Sequence, residues 1–110
     1  MSVFTVEELE LISAANAVIL EKFKRGMAFT SFSGAYVHPR EIIKVVLDVN
    51  AAAVICAHNH PSGYIAPSMA DINITEQIKT ALDTIGVRLL DHFIVGGGKV
   101  YSFAGRGILN

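Results

Sequence analysis

Six residues near the middle of the chain, His58-Asn59-His60-Pro61-Ser62-Gly63, restrict its fold and chemistry more than any others. The apolar run Ala51-Ala52-Ala53-Val54-Ile55-Cys56-Ala57 leads into them. That run is short and ends in a turn signal, which predicts a strand buried on both faces. Histidines at i and i+2 at the end of a strand project from the same face of a sheet. Pro61, Gly63 and Pro67 then mark a loop. Ser68-Met69-Ala70-Asp71 follows as a helix capping box, a hydroxyl with a carboxylate three residues later. A carboxylate at that helix start can close over the face carrying His58 and His60. Two imidazoles and one carboxylate form a zinc ligand set with a fourth position left for water. The competing reading is structural hydrogen bonding, but two adjacent rings followed by Pro and Gly have few ways to be satisfied inside a core. Asp71 and Ser68 each carry two compatible roles. Asp71 caps the helix and can ligate a metal. Ser68 is the N-cap and a candidate donor to a developing oxyanion.

The rest of the chain gives an alternating α/β order. Thr5-Val6-Glu7-Glu8 is another capping box, and Leu9, Ile12, Ala15, Ile19 and Phe23 recur at helical spacing. A helix is therefore expected over 5–25. Residues 27–37 are β-prone but broken by Gly34. Pro39 and Glu41 suit a helix start, with His38 as a local feature of it, and Ile42, Val45, Val46 and Val49 give that helix a buried stripe. After Asp71, Ile74, Ile78, Ala81, Leu82 and Ile85 continue a helix to Gly86. Val87 to Val95 reads as a strand, Gly96-Gly97-Gly98 as a tight turn, and Lys99 to Phe103 as the hairpin partner. No linker divides the chain, so residues 1–110 are expected to form one domain.

Composition excludes several classes. The net charge of −1 and the lack of a basic stripe disfavour nucleic acid as a partner. Lys22, Lys24 and Arg25 read as a solvated helix face. No apolar run approaches the ~18 residues of a membrane span, and no signal peptide is evident, so the expected location is the cytoplasm. The single Cys56 cannot form an internal disulfide and reads as a small buried hydrophobe. A chain this short with 52% hydrophobic and 17% charged residues leaves apolar surface uncovered, which predicts a homo-oligomer.

His58-x-His60-Pro61 with Ser68 and Asp71 downstream resembles the JAMM (MPN+/JAB) zinc metallopeptidase motif. Val37-His38-Pro39-Arg40-Glu41-Ile42, Asn50-Ala51-Ala52-Ala53-Val54-Ile55 and Leu90-Asp91-His92-Phe93-Ile94-Val95-Gly96 are similar to its RadC-like branch. The resemblance covers a metal-binding core over 36–108. Residues 5–31 look like the helix and connection that precede the domain. It implies a three-layer α/β fold of the cytidine-deaminase-like (JAB/MPN) type, a mixed β-sheet flanked by helices. It also implies one Zn2+ per chain on His58, His60 and Asp71, and hydrolysis of peptide or isopeptide bonds. Asp91 and His92 resemble the family's Asp-His pair, either strand-end packing or residues that orient the ligands from behind.

One departure stands out. In this branch a β-hairpin before the Val-His-Pro-Arg-Glu segment brings a glutamate that serves as general base. Here Phe29-Thr30-Ser31 runs almost directly into Ser33-Gly34-Ala35-Tyr36-Val37, so the N-terminal hairpin is missing. Glu21 is the candidate stand-in, but it lies on a helical segment four residues too far from Pro39, and Glu41 belongs to a different family position. Loss of a general base typically removes ~10²–10⁴-fold in rate. A zinc-dependent metallohydrolase, impaired for want of its base, is the leading expectation. A non-catalytic metal-binding or interaction module is the alternative. A DNA-repair role, suggested by the RadC name, ranks below both; His-Asn-His alone does not make an HNH nuclease site.

Overall fold

The structure is a computed structural model that describes residues 38–109. The expected helix over 5–25, the β-prone segment 27–37, Glu21 and the shortened stretch before Val37 lie outside the described residues. The architecture is α/β: helix α1 (Pro39–Val49), strand β1 (Ala53–Asn59), helix α2 (Met69–Thr84), then strands β2 (Arg88–Gly96) and β3 (Lys99–Ser102).

Local chemistry explains each boundary. His38 is extended at the N-cap of α1, and its side chain accepts the Arg40 N–H; Pro39 fills the first turn, where no N–H is needed. Asn50 ends the helix in a left-handed conformation, φ 54°, which asparagine tolerates better than most residues. Ser68 and Asp71 form the expected capping box at α2, both reciprocal bonds being present. Gly97 and Gly98 both have positive φ, 55° and 74°, as a two-residue hairpin between β2 and β3 requires.

The strands form a mixed sheet in the order β1-β2-β3, with β1 parallel and β3 antiparallel to β2. The parallel pairing is reached through α2, and α2 packs on both β2 and α1. Buried side chains of α1 (Ile42, Val46), α2 (Ile78, Leu82), β2 (Leu89, Ile94) and the C-terminal segment (Phe103, Leu109) share one core. Fully buried side chains such as Leu82, Phe93 and Phe103 each contribute about 1.5–3 kcal/mol.

Two sequence expectations are corrected. The strand buried on both faces is β2, where Asp91 to Ile94 are consecutively buried; every residue of β1 is half-buried or exposed. The reason is position: among the described residues β2 has a strand on each side and β1 has one on one side. The apolar stripe of α1 is also narrower than expected, since Val49 at the helix end is exposed. Conversely, Thr75 of α2 is buried beside Ile78 and Leu82, a place the apolar periodicity did not assign.

Candidate metal centre

His58 is the penultimate residue of β1, His60 lies just past the strand, and Asp71 is in the first turn of α2. Three short-range devices bring them together. His60 N–H donates to Val95 O at 2.8 Å, continuing the β1–β2 ladder past the end of β1. The 60–63 turn closes through Gly63 N–H to His60 O at 2.9 Å. The capping box then fixes Asp71: its Oδ2 accepts the Ser68 N–H at 2.9 Å, and its own N–H donates to Ser68 Oγ at 3.0 Å.

The result is a tight cluster. His58 Nε2 lies 3.0 Å from His60 Nε2 and 3.3 Å from Asp71 Oδ1; His60 Nε2 lies 3.2 Å from Asp71 Oδ2. A tetrahedral centre with metal–ligand bonds of about 2.0–2.1 Å has ligand–ligand edges of about 3.3 Å. The observed separations therefore fit a single zinc-sized cation. The donor chemistry fits as well. His60 Nδ1 is 2.8 Å from the Tyr64 carbonyl, which can only accept, so Nδ1 carries the hydrogen and Nε2 presents a lone pair to the cluster. The side chains of His58, His60 and Asp71 are 33%, 22% and 18% exposed, open enough for one face to admit a ligand. This is the one such group of potential ligands among the described residues.

The electrostatics favour the forms that bind a cation. Burial lowers the His58 pKa, the neighbouring Asp71 charge works against this, and His60 lowers it further. The ring is therefore neutral at physiological pH. Burial works to raise the Asp71 pKa, but hydrogen bonds from the Ser68 backbone and hydroxyl and the two histidines outweigh it, leaving the carboxyl below its usual value. Asp71 is thus ionised.

The remaining sequence candidates fall as follows. His92 stands directly behind His58, with its Nε2 2.8 Å from His58 Nδ1, its Nδ1 2.6 Å from Thr75 Oγ1, and its ring stacked on Phe103 at 4.8 Å. Burial, followed by the coupling to the neighbouring His58 ring, lowers its pKa to about 4. Asp91 is buried and accepts from His92 N–H at 2.7 Å, Ala104 N–H at 3.0 Å and the Ser102 hydroxyl at 2.5 Å. It ties β2 to the end of β3. The Ser68 hydroxyl is engaged in the cap. Glu41 is on α1, paired with Lys44 at 3.4 Å and Arg40 at 3.8 Å. Burial pushes the Cys56 thiol up to about 12, so it is a protonated packing group beside the core. No helix of the described residues is long and apolar enough to cross a membrane.

Sequence reasoning missed Thr75 and the Tyr64 carbonyl. Thr75 had one usable signal, a threonine inside the spacing Thr75-Ile78-Leu82 of a buried helical stripe. A carbonyl leaves no signal in sequence.

Comparisons with known proteins bear on the family. A UPF0758 protein of Marinomonas sp. (strain MWYL1) is 58% identical over 79 residues, covering 72% of this chain and 35% of the relative. One from Idiomarina loihiensis is equally identical over the same length, with the same coverage. One from Nitrosococcus oceani is 50% identical over 99 residues, 86% of this chain and 44% of the relative. The chain thus spans less than half the length of these curated relatives. The family profile for the RadC-like JAB domain matches residues 7–108, reaching well upstream of the core over 36–108 that the motifs mark out. With a site of two histidines and a capping aspartate on a parallel βαβ unit, this chain belongs to the RadC-like JAB domain family.

Proposed function

We propose that this chain holds one zinc ion on His58, His60 and Asp71 and acts as a RadC-like metallohydrolase on peptide or isopeptide bonds. The observation that carries this reading is the convergence of His58 Nε2, His60 Nε2 and the Asp71 carboxylate at 3.0–3.3 Å. Held by His58, His60 and Asp71, a zinc ion would supply Lewis acidity for polarising a carbonyl and acidifying water near neutral pH. The chain's own residues orient the ligands. The Tyr64 carbonyl holds the His60 ring, His92 backs the His58 ring, and the cap holds Asp71. In this reading the Ser68 hydroxyl, whose oxygen accepts the Asp71 N–H in the cap, turns its hydrogen from the Asp71 carboxylate to a developing oxyanion. Self-association belongs to the same reading, supported by the exposed apolar side chains Leu47, Val49 and Met69.

A second reading is favoured by one observation. Among the described residues the cluster includes no carboxylate besides Asp71, and Asp91 is committed to the β3 end. A metal-binding module without a proton carrier fits that inventory. One experiment separates the two. Chelator-stripped protein is titrated with zinc and then assayed on a reporter with a lysine ε-linked isopeptide. Both readings expect one zinc per chain and its loss in Asp71→Asn, which keeps an oxygen for the Ser68 N–H. The hydrolase reading further expects zinc-dependent turnover; zinc binding without turnover supports the module. Zinc binding equally well to wild type and Asp71→Asn refutes both.

A further inference from the structure

Behind the cluster runs a chain of hydrogen bonds whose direction can be worked out from its far end. Thr75 Oγ1 lies 2.6 Å from the backbone oxygen of Asp71 and 2.6 Å from His92 Nδ1. The Asp71 oxygen carries no hydrogen, so two oxygens at that separation require the Thr75 hydroxyl hydrogen between them. A hydroxyl has one hydrogen. Thr75 Oγ1 can therefore only accept from His92, which places the His92 hydrogen on Nδ1. A neutral imidazole has one N–H. His92 Nε2 is then an acceptor, and its neighbour at 2.8 Å, His58 Nδ1, must donate. That leaves His58 Nε2 as a bare lone pair, facing His60 Nε2 and Asp71 Oδ1.

We propose that Thr75 is a positioning residue for the metal centre: through His92 it locks His58 in the Nδ1–H tautomer, so that His58 Nε2 is open to a divalent cation. The proposal rests on the metal reading of the cluster and adds the element that sets its polarity. Nothing in the direct ligands does this for His58, whose Nδ1 meets another imidazole rather than an obligate acceptor. Imidazole–imidazole contacts have no intrinsic direction, and a proton on the wrong nitrogen would fill the cluster with an N–H. Thr75 resolves the ambiguity with the backbone of Asp71 itself. The residue that supplies the carboxylate thus also anchors the other end of the relay, one helical turn away. Thr75 is 2% exposed and His92 is 5% exposed, so water does not readily replace either partner.

The test is a tautomer measurement joined to an affinity measurement. Long-range 1H–15N correlation spectra of metal-free protein report which nitrogen of each histidine is protonated. Wild type is expected to show His58 and His92 both as Nδ1–H. Thr75→Val keeps the side-chain shape and removes the acceptor. His92 is then expected to switch to Nε2–H and donate to His58 Nδ1, which moves the His58 hydrogen to Nε2. Zinc affinity, measured by chelator competition, should fall about 10–100-fold, the usual effect of removing a partner that orients a ligand. Thr75→Ser should restore both readouts.

A wild-type His58 protonated on Nε2 overturns the proposal, whatever the variants do. So does a Thr75→Val protein whose His58 tautomer and zinc affinity are unchanged, or a Thr75→Ser protein that fails to recover them. A wild type that binds no zinc, yet shows the tautomer switch on Thr75→Val, would refute the metal reading and leave the relay standing. Should Thr75→Val not fold, the wild-type and Thr75→Ser tautomers still decide.

Discussion

Acid should destabilise the metal-free protein through His92. Its ring is buried, stacked on Phe103, and bonded at both nitrogens to groups that suit the neutral form. Burial, with the neighbouring His58, lowers its pKa from 6.5 to about 4. The unfolded chain therefore binds a proton at a higher pH than the folded one, and acid favours unfolding. The contribution of this group is complete above pH 6.5, declines as the pH falls, and is gone near pH 4. Each pH unit between the two values corresponds to 1.36 kcal/mol, so the full effect is about 3 kcal/mol, of which about 2 kcal/mol is lost by pH 5. That is a large fraction of the ~5–15 kcal/mol stability of a small domain. His58, also lowered by burial, adds in the same direction. Asp71, held below 3.8, loses its contribution only at lower pH and does not enter this window. The assay is urea unfolding by circular dichroism at pH 7 and pH 5 in the presence of a chelator. For a urea dependence of ~1–2 kcal/mol/M, the wild-type midpoint should drop by about 1 M or more. His92→Phe keeps a ring on Phe103 and cannot take up a proton, so most of that drop should disappear. A pH 7 to pH 5 shift of the same size in both proteins would refute the reasoning.

Two further outcomes follow from packing and hydrogen bonding. Gly96→Ala would place a methyl 2.7 Å from the His60 carbonyl oxygen and 3.2 Å from Gly63 Cα, both backbone atoms. It should cost ~1–3 kcal/mol in thermal unfolding and weaken zinc binding by displacing His60; an unchanged melting temperature and zinc affinity would contradict this. Asp91→Ala would strip an acceptor from the His92 N–H, the Ala104 N–H and the Ser102 hydroxyl, an expected loss of ~3–6 kcal/mol in urea unfolding; a loss under 1 kcal/mol would show that these bonds are replaced.

The three residues that can hold a cation were legible in the sequence because they lie on one contiguous segment and each obeys a local rule. Alternation along a strand puts His58 and the chain end at His60 on one side, and a capping box puts Asp71 at a helix start. The elements of the described region were legible for the same reason: Pro39, Asn50, Ser68 and the Gly97-Gly98 turn are local signals. What lies behind the ligands was not. His92 and Asp91 are neighbours in a strand, so they face opposite sides of the sheet, and nothing in Leu89-Leu90-Asp91-His92 says which one meets His58.

That choice is made by register. Val54 pairs with Leu89, but Ile55 pairs with Asp91, so Leu90 is an extra residue in β2. The shift sets His92 opposite Cys56, on the face that carries His58. With unbroken pairing Cys56 would instead oppose Asp91, and an acid would stand behind His58. Likewise, Thr75 acquires its role only when α2 packs on β2 and brings a mid-helix hydroxyl to the His92 ring. The sequence alone determined the family, the βαβ order and the three residues that can hold a cation, because each depends on chain neighbours. Tertiary structure decided which strand is buried on both faces, which of the Asp91-His92 pair serves the site, and how a threonine sets the proton on His58. Those outcomes depend on the register between strands and on contacts between residues far apart in the chain.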